Sequence, residues 1–337
     1  MNDARRFQGR LRPGDVVEVR PPAEIVATLD ASGETDGLAF MPEMLGFVGK
    51  RLTVLKRVEK ICDTIAAGGS RRMRDTVYLD DLRCDGTAHD GCQAECRLYW
   101  KEAWLARAEG ASPLPASPDP AAMAELERIA RANTRVPSDG ADVFRCQATE
   151  ALRASEPIGS VLSPGQYVRE IASGNVGIGR FLVVAARAIS WKLAKLVGQD
   201  ILSRQARLHA ARGRAQTAES GKLGLQPGDW VEVKSAAEIV ATLNAKGRNK
   251  GMVFSSHEML PACGRKYRVR RRVDRLIDEK SGRMLNIRND CIVLEGFVCD
   301  GERSPGRWLC PRALYPYWRE AWLRKVEPPD AKTGATA

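Results

Sequence analysis

Nine cysteines and three histidines are spread over 337 residues, and "CDGTAHDGCQAEC" gathers three of those cysteines and one histidine between Cys84 and Cys96. Thiolate sulfur and imidazole nitrogen are good ligands for soft and borderline metals, and a thiol beside an imidazole can also act as a nucleophile. Adding Cys62 from "KICDT" gives the set Cys62, Cys84, Cys92 and Cys96. Four thiolates are the complement of a tetrahedral zinc ion or of a [4Fe-4S] cluster. His89 is a fifth candidate ligand. There is no C-x-x-C knuckle and no ferredoxin spacing, so the spacing alone does not choose the metal. Cys92 and Cys96 flank "QAE", a separation that would put both sulfurs on one face of a helical turn. Two other readings use the same residues: a reactive thiol built from Cys92 and His89, or inert buried thiols.

An internal duplication provides a comparison within the chain. "LRPGDVVEVRPPAEIVATLDASGETDGLAF" begins one copy and "LQPGDWVEVKSAAEIVATLNAKGRNKGMVF" the other, in constant register from Leu11/Leu225 to Phe40/Phe254. After one inserted residue, Glu43 aligns with Glu258 and Gly49 with Gly264. Near the ends Trp100 aligns with Trp318 and Trp104 with Trp322. Cys84 aligns with Cys299 and Cys92 with Cys310, but Cys62 meets Ile277 and Cys96 meets Leu314. Isoleucine and leucine ligate no metal, so the four-cysteine set is private to the first copy. The second copy carries its own candidate thiol set, Cys263, Cys291, Cys299 and Cys310. Glu43/Glu258 sits between apolar residues in "EML", where it would be a buried acid.

Each copy must be built mainly of strands to position these groups. "PGD" is a turn, "VVEV" and "WVEV" alternate as strands, and "AEIVATL" has the spacing of a short helix. "RLTVLKRVEKI" and "KYRVRRRVDRLI" read as charged strands, followed by strands in "DTVYLDDL" and "DCIVLEGF". The opening "PGDxVEV" resembles the first strand of SH3-like barrels, including KOW modules. The whole repeat, with "CDG" and "WxEAWL", resembles a bacterial family of duplicated SH3-like, weakly KOW-like barrel modules. The resemblance implies a fold, a small β-barrel, and no particular activity. The expected fold class is therefore mainly β with α segments: two tandem SH3-like small β-barrel repeats joined by a partly helical middle segment.

The expected organisation is a first barrel repeat with the cysteine cluster at 10–106, a linker and helix at 107–140, and a helical middle segment at 141–215. A second barrel repeat at 224–326 and a disordered tail at 327–337 follow. "DPAAMAELERIARAN" predicts a helix with Asp119 as N-cap and Pro120 at its first position. "CQATEALRA", "PGQYVREIAS" and "GRFLVVAARAISWKLAKLVGQ" predict three more. Arg187, Lys192 and Lys195 interrupt the last, so it predicts no membrane span. "SRQARLHAARGRAQTAESGKLG" reads as an exposed helix end and linker. Gly174, Gly177 and Gly179 precede the long helix, but no Walker lysine follows.

The N-terminus has no apolar signal core, which predicts a cytoplasmic protein and thiols that are not paired as disulfides. A formal net charge of +11 favours an anionic partner. The candidate surface is "RKYRVRRRVDR", where Arg268, Arg270 and Arg272 would share one strand face, Arg271 would take the other, and Tyr267 could stack a base. No nucleophile elbow, HExxH, kinase set or Walker loop is present. These features lead to the expectation of a cysteine-ligated metal protein, zinc or iron–sulfur, that binds a protein or nucleic-acid partner without catalysis. The alternative is an iron–sulfur or thiol-dependent enzyme, or its accessory, using the first-repeat cysteines.

Overall fold

Pro-Gly-Asp makes the same turn at the start of both repeats. Gly14 and Gly228 adopt φ of 92° and 94°, a left-handed conformation that glycine takes without a Cβ penalty. Their N–H groups donate to the Val54 and Val269 carbonyls, each at 2.8 Å. Asp15 and Asp229 close the turns by accepting from the backbone N–H of Arg12 and Gln226, both at 2.8 Å. A computed structural model describes residues 10–65, 69–108, 119–136, 142–160, 163–196, 222–244, 246–303 and 307–328. The linker stretch at 109–118, the basic segment through 221 and the tail from 329 lie outside the described residues.

Small antiparallel sheets with some helices make up the protein. In the first repeat a five-stranded sheet runs in the order Trp100–Lys101, Thr76–Leu79, Arg51–Arg57, Val16–Val19, Leu105–Arg107. The second repeat has Ile292–Leu294, Lys266–Arg272, Trp230–Val233 and Leu323–Lys325 in the matching order. A one-residue bridge, Ile292 with Trp318, stands where the first repeat pairs Val77 with Trp100. Valine at every second position, Val17 and Val19 and again Val231 and Val233, made the opening strands readable, although Glu18 between the first pair is itself buried. Both long strands contain a register shift, at Val54/Lys56 and at Val269/Arg271. A bulge of this kind breaks simple alternation. It does so within "RVRRR", where the sequence predicted Arg268, Arg270 and Arg272 on one face.

The chain divides into two compact units. The first comprises the residues through Val184 together with Arg275–Leu285 and Gly306–Ala313, and the second comprises the rest. Two stretches of the second repeat thus belong to the first unit. One, Arg275–Leu285, carries all but the last residue of the hairpin made by strands Arg275–Ile277 and Met284–Asn286. Its Gly282 carbonyl accepts from the Phe144 N–H at 2.8 Å. A Cβ on Gly282 would stand 2.6 Å from the Phe144 carbonyl oxygen, and its φ is +67°, so glycine is required there. The other stretch contains Trp308, Cys310 and Arg312, all buried.

The first core is centred on Trp100 and Trp104, with Phe40 edge-on at 6.2 and 5.2 Å. The second repeats this with Trp318, Trp322 and Phe254 at 6.4 and 5.4 Å. Such edge contacts match the negative ring face with a positive ring edge. The expected helices appear at Pro22–Val26, Pro120–Ala132, Gln147–Glu150, Pro164–Ala172 and Ile178–Leu196. The Asp119 side chain accepts from the Ala121 N–H, capping the second of these. No helix among the described residues is long and apolar enough to cross a membrane.

Helix Pro164–Ala172 brings Glu170 against Lys60 in the first unit, and both are buried. Glu170 accepts from Asn175 Nδ2 at 2.9 Å, and the Lys60 ammonium sits 4.8 Å above the Tyr167 ring. Burial raises the Glu170 carboxyl to about 8, against the pull of Asn175 and Lys60. Burial also lowers Lys60 to about 8, against the pull of Glu170. The folded state therefore holds the Glu170 proton over a range where the unfolded state has lost it. Stability from this group is complete below the ordinary carboxyl value of 4.5 and is lost as pH rises to about 8. Lys60 acts in reverse: between about 8 and its ordinary value of 10.5, stability rises with pH. Glu170→Gln should flatten the lower limb and leave the upper one, measured as denaturation midpoints across that pH range.

Candidate metal centre

Three side chains converge in the first unit. Glu43 projects from the 3-10 turn Pro42–Phe47, opened by Pro42. Cys84 follows a one-residue bridge between Arg83 and Arg97. His89 ends the short turn Thr87–His89. Their ligand atoms all lie within 4.8 Å of one another, the only group of three or more His, Cys, Asp or Glu that does so among the described residues.

The hydrogen bonds assign roles. Cys84 Sγ donates to Glu43 Oε1 at 3.1 Å. His89 Nε2 lies 3.0 Å from the Arg145 carbonyl oxygen. A carbonyl only accepts, so Nε2 carries the proton and Nδ1 is turned toward the other two side chains. Nδ1 lies 2.8 Å from Glu43 Oε1, with the two side chains 1% and 3% exposed. Neither His89 Nδ1 nor Glu43 Oε2 has a hydrogen-bond partner. Buried polar atoms without partners are costly. A cation bound by Nδ1, the Glu43 carboxylate and the Cys84 sulfur would satisfy them together. Burial and the neighbouring Glu43 drive the Cys84 thiol well above its usual range, so without a cation it stays protonated.

Gly86 makes the turn between Cys84 and His89 possible. Its φ is +75°, and a Cβ there would lie 1.9 Å from the Cys92 carbonyl oxygen. Its own carbonyl accepts from the His89 and Gly91 N–H groups at 3.0 and 2.9 Å. The "DG" after Cys84 thus has a backbone role, and Gly301 in the second repeat has a similar φ of 68°.

The other predicted ligands go elsewhere. Residues 92–96 are irregular, not helical, so Cys92 and Cys96 share no helical face. Cys84 N–H donates to the Cys96 carbonyl at 2.8 Å, as Cys299 N–H does to the Leu314 carbonyl at 2.8 Å. Cys96, Cys92 and Cys146 are electrostatic neighbours, and burial raises Cys96 and takes Cys146 to about 11. Cys62 ends the strand Ile61–Cys62, and its N–H donates to Cys310 Sγ at 3.1 Å. Reciprocally, the Ile277 N–H donates to Cys92 Sγ at 3.4 Å. The duplication aligns Cys62 with Ile277 and Cys92 with Cys310, so each copy's strand meets the other copy's cysteine. In the second repeat Cys291 is buried and raised to about 12 by that burial, Cys263 is raised for the same reason, and Cys299 is half-buried.

The arginine strand is divided in its roles. Arg268 is exposed, with Nε reaching the Gly228 carbonyl at 3.4 Å, and exposed Arg270 lies 5.4 Å from the Tyr315 ring centre. Arg271 is half-buried. Arg272 turns inward to Glu320 at 2.5 Å and to the Leu225 carbonyl at 2.9 Å. Tyr267 packs edge-on against Phe297 at 5.5 Å.

No family model, curated protein or solved structure matches the chain. Sequence reasoning had Cys84, with His89 as the extra ligand and Glu43 as a buried acid, but did not join the three. The fall of "EML" in both copies was the available signal. Cys146 was missed, and nothing in its surroundings in the sequence marks it.

Proposed function

We propose that the protein is a non-catalytic zinc-binding module of two SH3-like barrel repeats that engages an anionic partner, a nucleic acid. The donor trio Glu43, Cys84 and His89 carries the reading. Oxygen, sulfur and nitrogen donors together suit zinc, whereas a [4Fe-4S] cluster takes thiolates. Three protein ligands leave one tetrahedral position for water, the ligand count of catalytic zinc sites. The burial of His89 and Glu43, at 1% and 3% exposed, argues instead for a clamp. Such a clamp would tie the Pro42–Phe47 turn to the Cys84–His89 loop, and through His89 to the backbone at Arg145. The barrel reading is supported by the strand order, in which the first strand lies between the second and the last in both repeats. A 3-10 turn also precedes the last strand of each.

Protein purified without chelator should carry about one zinc per chain and be colourless. A brown protein with iron, or one that takes up no metal after zinc is supplied, would refute the reading. The partner is favoured by the net charge of +11 and by exposed Arg268 and Arg270. Retention on single-stranded nucleic acid should fall steeply with salt, and Arg268→Ala with Arg270→Ala should lower the log–log salt slope by about 1–2. An unchanged slope in the double variant would remove that surface from the account.

A further inference from the structure

We propose that Cys62 and Cys310 form a redox-active thiol pair that takes hydrogen peroxide or another small hydroperoxide as oxidant and closes to a disulfide. The two lie together in the first unit, both buried, with the Cys62 N–H donating to Cys310 Sγ at 3.1 Å. Beside them is the buried guanidinium of Arg312. Its Nη1 reaches the Cys62 carbonyl at 3.4 Å and Thr64 Oγ1 at 3.0 Å, and its Nη2 reaches Glu279 Oε1 at 2.7 Å. This fork is fixed by three acceptors, so its charge is held against Cys62 and not free to swing into solvent.

The environment makes the two sulfurs unequal. The neighbouring Cys310 thiol, opposed by burial and helped by Arg312 and Arg307, lowers Cys62 below its usual range. Burial and the Cys62 sulfur push Cys310 well above its usual range. Burial raises Cys84, Cys96, Cys146, Cys263 and Cys291, the opposite direction to Cys62. The groups facing the pair include Arg312, Arg307, Glu279, Lys60, Tyr78 and Tyr99. A stabilised thiolate beside a protonated thiol is the arrangement of an attacking and a resolving cysteine. Cys62 is 9% exposed, which suits a small oxidant better than a bulky one.

The chemistry balances in two steps. The Cys62 thiolate attacks one peroxide oxygen: an S–O bond forms, the O–O bond breaks, and hydroxide leaves and is protonated to water. Cys62 is oxidised by two electrons to the sulfenic acid, and the peroxide is reduced. Cys310 then loses its proton and attacks the Cys62 sulfur, so that the S–S bond forms, the S–O bond breaks and a second water departs. A dithiol reductant reverses the change, becoming a disulfide as both thiols return.

The test uses the full-length, reduced protein treated with hydrogen peroxide and mapped by non-reducing peptide mass spectrometry. The expected result is the loss of two thiols as a Cys62–Cys310 disulfide, with both recovered by dithiothreitol. Cys310→Ser should stop at a Cys62 sulfenic acid trapped by dimedone. Cys62→Ser should give no trapped adduct at Cys310. Prior chelation should leave the map unchanged, because neither residue belongs to the zinc trio, and this separates the pair from the metal proposal. Cys62 persisting as a free thiol while other cysteines oxidise, or pairing with another cysteine, would overturn the inference. Should a serine variant fail to fold, the map of the unaltered protein decides alone.

Discussion

Arg57→Met should destabilise the first unit by about 3–5 kcal/mol, while Arg272→Met at the aligned position should cost the second unit only about 1–2 kcal/mol. Arg57 is fully buried and lies 2.5 Å from Glu102 Oε1 and 3.2 Å from Glu59 Oε1. It also donates to the Leu11 carbonyl at 2.5 Å. Methionine fills most of the volume but leaves two carboxylates without their central cation, of which only Glu59 keeps another, Arg72 at 2.8 Å. Removing one partner of a buried ion pair strands the other charge in a medium that solvates it poorly. Arg272 makes the same contacts with Glu320 and the Leu225 carbonyl, but its side chain is 30% exposed. Without it, Glu320 still accepts from the Leu225 and Gly224 N–H groups at 3.1 and 3.3 Å. Hydrogen exchange followed by mass spectrometry at increasing denaturant reads the two units separately. Equal losses would mean that burial is not what distinguishes the two positions.

Cys84→Ser should weaken zinc binding by more than about 100-fold, beyond the usual cost of losing an outer-shell partner of a ligand. Cys62→Ser and Cys92→Ser should leave the stoichiometry of one zinc unchanged. The contrast discriminates sharply, because the sequence alone groups all three with Cys96 in a single four-thiolate site. Zinc entry must displace the Cys84 proton, so affinity should rise about tenfold per pH unit around neutrality, with one proton released per ion bound. Cobalt substitution offers a direct view: a single thiolate-to-cobalt charge-transfer band should appear in the unaltered protein and vanish with Cys84→Ser. Loss of metal from the Cys62 variant would restore the four-cysteine set.

The strands and turns were legible because their physics is local. "PGD" specifies its turn, and alternating valines specify a half-buried strand, wherever they occur. The duplication extended that legibility by showing the same pattern twice. The cysteine partnerships were not legible, because they depend on which distant loops meet. Alignment placed Cys62 opposite Ile277 and Cys92 opposite Cys310, but pairing by similarity differs from pairing in space. In the protein Cys62 lies with Cys310 and Cys92 with Ile277. Likewise, the alternation that put Arg272 beside Arg268 and Arg270 on one face ignores the bulge between Val269 and Arg271. An inward charge becomes visible only once Glu320 is seen to receive it.

The allocation of Arg275–Leu285 and Gly306–Ala313 to the first unit bears on how the chain is made. A ribosome delivers residues in order, at about 5–20 per second, and N-terminal domains ordinarily fold before later ones emerge. Here the N-terminal unit cannot take its final form when Val184 leaves the exit tunnel. It must wait on the order of ten seconds more for Cys310 and Arg312. Through that interval Cys62 has no Cys310 beside it and no Arg312 guanidinium. The nascent chain therefore passes through a stage in which the contact between Cys62 and Cys310 has not yet been made.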